Sequence, residues 1–168
     1  SLIVNSGTGA VTFGGDVSVG TLAVNAGSIG INRFVAAGTL NLTTTVGTLS
    51  VNSPAGLDTI VHSFGAVTIA AAGDVLIGAN GGPVTTVVGD GGVTVSANGR
   101  VTVGTNDRVV GGGLLPGAPA ANVSIVGGSV VLGEVTGADV TINAFRGDIV
   151  LGRIASSSTR DLFGAYEA

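Results

Sequence analysis

The residues of this chain that could carry chemistry are few and scattered. His62 is the one histidine among 168 residues, no cysteine is present, and the ten acids, Asp16, Asp58, Asp74, Asp90, Asp107, Glu134, Asp139, Asp148, Asp161 and Glu167, stand singly. Acid–base or nucleophilic catalysis needs a base held beside a second titratable group or a nucleophile. Neither a Ser-His-Asp order nor a paired carboxylate stands out, so the expectation is a protein without catalytic residues and not an enzyme.

Metal and cofactor chemistry find no better footing. Without thiols a thiolate site is excluded. A calcium β-roll would repeat Gly-Gly-x-Gly-x-Asp about every nine residues, and the glycines beside Asp74 and Asp90 do not recur in that way. Gly89-Asp90-Gly91-Gly92 lacks the Lys and the following helical pattern of a phosphate loop. No metal and no cofactor are expected.

Three further patterns invite a recognition role. Arg146-Gly147-Asp148 spells the tripeptide that integrins read, but Gly147-Asp148-Ile149-Val150-Leu151 also repeats Gly73-Asp74-Val75-Leu76-Ile77 and Gly15-Asp16-Val17-Ser18-Val19. A three-residue motif has a high false-positive rate, and the structural reading is the stronger. Thr12, Thr68, Thr94, Thr102 and Thr141 hold equivalent positions that would form an ice-matching array, were the rank not broken by Ser18, Asn41, Leu76, Val131 and Val150. Asn5, Asn25, Asn32, Asn52 and Asn143 each follow an apolar strand residue and are expected to stack as a structural ladder.

What must position all of these is a short repeat. An apolar-small-apolar triplet followed by Gly or Asn returns about every 17 to 20 residues. Leu2-Ile3-Val4-Asn5 realigns with Leu22-Ala23-Val24-Asn25, Gly20-Thr21-Leu22 with Gly38-Thr39-Leu40, Val75-Leu76-Ile77 with Val93-Thr94-Val95, and Val123-Ser124-Ile125 with Val140-Thr141-Ile142. Alternation of this kind sends first and third side chains to one face of a β-strand. A unit so short cannot bury its apolar face alone, whereas stacked copies bury a continuous column. The expected fold is all-β, a parallel β-helix of about nine coils and roughly 43 Å. Many of the 31 glycines, including Gly14, Gly20, Gly38, Gly78, Gly104, Gly133 and Gly152, read as corners.

Residues 1–154 read as one β-helix domain with two interruptions, and 155–168 as a cap, linker or assembly arm. The first interruption, 53–65, fits either a short helix, with Leu57, Ile60, Val61 and Phe64 on one face, or one more β-unit with a bulge. The second, 111–121, has the composition of a loop leaving the coil. With no Met, Ser1 reads as the start of a processed chain or a segment, its edge continued by removed sequence or paired in an assembly.

Charge narrows the partners. The net charge is −4 with six Arg and no Lys, which leaves no basic patch for nucleic acid. No run approaches the about 18 apolar residues of a membrane span. Outward apolar positions Leu76, Val131 and Val150 mark an assembly surface, so a homo-oligomer or filament is expected.

The units Val17-Ser18-Val19-Gly20, Gly73-Asp74-Val75-Leu76-Ile77 and Arg146-Gly147-Asp148-Ile149-Val150-Leu151-Gly152 resemble those of filamentous haemagglutinin-type adhesins of two-partner secretion, over about residues 1–154. That resemblance implies a right-handed β-helix and an extracellular or bacterial cell-surface shaft, with a surface receptor or glycan as partner. The family's N-terminal secretion signature is not found here. Val130-Val131-Leu132-Gly133-Glu134-Val135-Thr136-Gly137 also resembles polymerising bactofilins, which would place the chain inside a cell. A glycan-binding or glycan-cleaving β-helix is the alternative from another class, and would gather acids on one face.

Overall fold

In the computed structural model, residues 1–53, 57–78, 82–113 and 118–156 are described, and among them there is no helix. All strands pair in parallel, which makes the chain a β-solenoid of about 7 turns. Three stacks of strands rise side by side. The first contains Leu2–Asn5, the later part of Val17–Ala26, the later part of Val35–Thr44, Val67–Ala71, Val93–Ala97, Val123–Gly127 and Val140–Ala144. In the second lie Ala10–Phe13, Ser28–Ile31, Leu49–Val51, Val75–Ile77, Arg100–Val103 and the early parts of Ser129–Gly137 and Ile149–Ser156. The third holds the early parts of Val17–Ala26 and Val35–Thr44, then Thr59–Ser63, Thr85–Gly89, Arg108–Gly111 and the later parts of Ser129–Gly137 and Ile149–Ser156. Each stack therefore has seven layers.

Alternation fills the interior. In the first stack Leu22, Leu40, Leu42, Val67, Ile69, Val93, Val95, Val123 and Ile125 form two inward columns, all but closed to solvent. Ile29, Ile31, Leu49, Val51, Val75, Ile77, Val101 and Val103 do the same from the second. Each fully buried Leu or Ile contributes about 1.5–3 kcal/mol relative to exposure, and repetition, rather than any single large residue, builds the core.

Between the first and second stacks one corner is glycine in every layer: Gly9, Gly27, Gly47, Gly73, Gly99, Gly128 and Gly147. The amide of each, from Gly27 onward, donates to the carbonyl of the glycine in the preceding layer at 2.6–3.1 Å. A Cβ here would strike the layer before it; at Gly73 it would lie 2.9 Å from the Gly47 carbonyl oxygen and 3.0 Å from its carbon. The corner needs glycine for close approach. The next corner, between the second and third stacks, carries Asn32 and Asn52 in early layers and Gly78, Gly104, Gly133 and Gly152 later.

Coil length is not constant, and here the structure corrects the sequence reading. Register steps are 20 and 18 residues at the start (Leu2 to Leu22, Val17 to Val35). They grow to 26 and 30 in the middle (Val67 to Val93, Val93 to Val123) and return to 17 and 19 at the end (Val123 to Val140, Val130 to Ile149). The average is ~22 residues, giving seven layers rather than nine. Val75 pairs with Val101, not Val93, because Val93 belongs to the first stack and Val75 to the second. Gly15-Asp16 likewise precedes a third-stack strand, whereas Gly73-Asp74 and Gly147-Asp148 precede second-stack strands.

The additional length leaves the coil at corners. Of the first interruption, residues 54–56 lie outside the described residues, and Thr59–Ser63 is a strand of the third stack with Thr59, Val61 and Ser63 buried. The β-unit reading holds there, and the helix does not form. Inward Val61 is covered by Val35 on one side and Val87 on the other, Ile60 is half-buried, and Leu57 and Phe64 stay exposed, so the strand buries only one of the four apolar residues that a helix would have set on one face. Around the second interruption, Ala121 donates to the Gly111 carbonyl at 3.1 Å and closes the loop at its base; residues 114–117 lie outside the described residues. So do 157–168, while the last strand runs to Ser156 and takes Ala155 and Ser156 into the coil.

Replacing Gly73 with Ala should cost about 1–3 kcal/mol, as overpacking against fixed backbone does. Gly20→Ala, where an added Cβ meets nothing within 4 Å, should stay within about 0.5 kcal/mol of the parent. Chemical denaturation of both variants checks the contrast; equal midpoints would contradict the close-approach account.

Candidate functional site

Stacking sorts the candidate residues into columns on the outside of the prism. Leu76, Thr102, Val131 and Val150 succeed one another on the second stack. The three expected assembly residues thus share one column, interrupted by Thr102. Leu76 and Val131 are half-buried and Val150 is 53% exposed.

The threonines divide between two stacks. Thr68, Thr94 and Thr141 join Asn41 and Ser124 in one column of the first stack. Thr12 and Thr102 belong to the second, separated by Gly30, Ser50 and Leu76. The five-membered asparagine ladder separates too. Asn5 lies beside Asn25, but Asn143 is separated from that pair by Thr43, Ala70, Ser96 and Val126. Asn32 and Asn52 occupy a different corner, where each backbone amide donates to the preceding layer (Asn32 to Phe13, 3.0 Å; Asn52 to Ile31, 2.9 Å). The buried Oδ1 of Asn52 has no hydrogen-bond partner among the described residues. Adjacent pairs, rather than one ladder, are what the coil brings together.

Arg146, Gly147 and Asp148 are exposed and form the glycine corner of the last layer. Their backbone is tied inward: Arg146 and Gly147 donate to the Gly128 carbonyl at 3.0 and 2.7 Å, and the Asp148 carbonyl accepts from Val130 at 3.0 Å. The Arg146 guanidinium lies 5.4 Å from the Phe145 ring centroid, a cation–π contact.

The outer face of the first stack differs from the others in carrying no charge. Its two columns are Ile3, Ala23, Asn41, Thr68, Thr94, Ser124, Thr141 and Asn5, Asn25, Thr43, Ala70, Ser96, Val126, Asn143. Two shallow open hollows lie along it, of about 370 Å³ beside Ala70, Ser96 and Phe145 and about 180 Å³ beside Asn5, Asn25 and Asn41. Side-chain charge gathers instead on the third stack, where Arg108, Glu134 and Arg153 stand in successive layers and Arg108 Nε meets Glu134 Oε2 at 3.3 Å.

His62 is not isolated. Its Nε2 lies 2.9 Å from Asp90 Oδ1 in the next layer, and its ring packs against Phe64 at 4.7 Å between centroids. The pair ties two layers together across a corner. Other acids do similar work: Asp58 Oδ1 accepts the Val84 amide at 2.9 Å and Asp74 Oδ1 the Arg100 amide at 2.7 Å. Among the described residues the acids are spread over several corners and layers, with Glu134 on a third-stack strand, and do not converge on one face.

Asp107 is an acid to which the sequence reading gave no role. It is 1% exposed, above Thr85, whose amide donates to its Oδ1 at 2.6 Å. Thr85 Oγ1 meets Ser53 Oγ at 2.8 Å, and Ser53 Oγ in turn accepts the Thr59 amide at 3.0 Å. This polar plug fills the corner where the longer coils leave the prism. Its only sequence signal was an acid one residue before a strand. Burial raises the Asp107 carboxyl above its ordinary value, against the opposing hydrogen bonds from Thr85.

No protein-family model, curated protein or solved structure matches this chain.

A folded-state pKa raised above the unfolded one means that protonation favours the fold. Asp107's contribution is therefore fully present below the unfolded pKa and lost as pH rises through the folded pKa. Asp107→Asn keeps an acceptor for the Thr85 amide without the charge, so it should be at least as stable as the parent at pH 7, with its advantage shrinking in acid. Asp107→Ala removes the acceptor and should cost about 1–3 kcal/mol. Thermal unfolding between pH 3 and about 8 reads both.

Proposed function

We propose that this chain is a non-enzymatic structural rod, a shaft or fibre unit of a bacterial surface adhesin or filament that works outside the cell. The observation that carries the reading is that all three stacks run through all seven layers, with two apolar columns unbroken in the first and second stacks and one, from Val17 to Ile154, in the third. Layers hydrogen-bonded along the axis and glued by continuous apolar columns resist bending, and adding coils adds length without new design. The loops between the stacks are where recognition of a surface receptor would be built. The half-apolar column Leu76–Thr102–Val131–Val150 supports side-by-side association.

One observation favours a second reading. The uncharged first-stack face with its two hollows and the ring of Phe145 at its border suits a neutral polymer, so a glycan laid along the axis is the alternative.

Negative-stain electron microscopy together with a polysaccharide hydrolysis panel tests the shaft. Straight rods of uniform width and no sugar release are expected. Sugar release that disappears in His62→Ala or Asp90→Ala would sink the non-enzymatic reading.

A further inference from the structure

On the outer face of the first stack the hydrogen-bonding groups are ordered by layer. One column reads Asn41, Thr68, Thr94, Ser124 and Thr141, so each of these layers presents a hydroxyl or amide about 4.8 Å above the last. The neighbouring column reads Thr43, Ala70, Ser96, Val126 and Asn143 in the same layers and alternates polar with apolar. Its repeat is therefore two layers, about 9.6 Å. The layers of Ile3 and Ala23, with Asn5 and Asn25 beside them, follow neither rule.

The hydroxyls of this face differ from those at the corners. Corner hydroxyls are engaged by backbone: Thr44 donates to the Gly47 carbonyl at 2.7 Å, Thr45 to Gly7 at 3.0 Å and Ser63 to Ala66 at 3.1 Å. Among the described residues, the side chains of Asn41, Thr68, Thr94, Ser124 and Thr141 make no such bond. Asn41, Thr68 and Thr94 are exposed, and they stand on strands whose inward residues Leu40, Leu42, Val67, Ile69, Val93 and Val95 already close the core. Their donors and acceptors are left for something outside the coil.

Charge says what kind of thing that is. Both columns are neutral in a chain of net charge −4. A polyanion would find no cation here to replace its ionic hydration, whereas a neutral polymer rich in hydroxyls gives up none. The hollow of about 370 Å³ lies over Thr43, Ala70, Ser96 and Asn98, within the alternating column.

We propose that this face binds a neutral β-1,4-linked hexose polymer, laid along the axis and not cleaved. In such a chain each ring is turned over relative to the one before, so the same edge returns every second ring, and the rise per ring is close to one strand spacing. The unbroken column then meets a ring hydroxyl in each layer. The alternating column meets a hydroxyl-bearing edge at Thr43 and Ser96 and a C–H edge at Ala70 and Val126. An α-1,4-linked chain winds as it extends and falls out of step with a straight column. This inference rests on the glycan reading of the face and names its polymer; the rod does not depend on it.

Isothermal titration calorimetry of the full chain tests it with four hexamers: cellohexaose and β-1,4-mannohexaose, against maltohexaose and the hexamer of galacturonate. The two neutral β-1,4 hexamers are expected to bind at least about 10-fold more tightly than the other two. Thr68→Val and Thr94→Val keep the strand shape without the hydroxyl, and each should weaken binding about 2- to 10-fold. Ala70→Asp, which sets a charge in the hollow, should weaken it as well, and Thr12→Val on the second stack should leave it unchanged. Equal affinity for maltohexaose or galacturonate, or indifference to Thr68→Val and Thr94→Val, overturns the proposal. Maltohexaose binding that falls in the Thr68 and Thr94 variants keeps a glycan on this face and removes the two-layer match; no binding by any hexamer removes both and leaves the rod.

Discussion

The structure depends on how closely successive coils can approach at a corner. A parallel stack keeps its hydrogen bonds only if each turn of the chain lies one strand spacing above the last. At the Gly9-to-Gly147 corner the backbone amide of one layer bonds the carbonyl of the layer before it, and side chains are excluded from the gap. Fixing that one edge in every layer fixes the vertical rise of the second-stack strands that follow it. The apolar columns then fall into line without any individual packing solution being needed.

With one edge so constrained, the other corners are free to vary. The corner between the second and third stacks accepts Asn, Gly or a longer excursion, and the coils lengthen there from 18 to 26 residues without disturbing the register on either side. Polar groups brought inward by the excursion satisfy one another: Ser53, Thr59, Thr85 and Asp107 form a connected set in place of the apolar residues used elsewhere. A satisfied polar plug is tolerable in a core, and an incomplete one would not be. Asp107 is the member whose ionised form burial makes costly.

The three outer faces are chemically distinct although the repeat that builds them is one. Neutral small residues line the first stack, a half-apolar column runs up the second, and the Arg108–Glu134 ion pair lies on the third. This division arises because outward middle positions bear no packing load and are left to function.

Much of the fold was legible in the residues. Alternating Val, Leu and Ile triplets, and glycines at their ends, required strands whose first and third side chains face inward, and the pairings of Leu2 with Leu22 and Val123 with Val140 were readable directly. The helical spacing of Leu57, Ile60, Val61 and Phe64 misled, because the inward face of the strand is Thr59, Val61 and Ser63, and only the layers that cover Val61 with Val35 and Val87 decide this. The candidate surfaces were legible only as residue types. Leu76, Val131 and Val150 could be named as outward, but that they share a column, that Asn143 stands apart from Asn25, and that Asp107 is buried needed the layers. Sequence by itself determined which apolar side chains of the regular triplets enter the core, since that follows from a period of two along the strand. The tertiary structure alone decided which of three near-identical stacks each unit joins, because loops of unequal length leave at the corners and erase the repeat distance that would have told them apart.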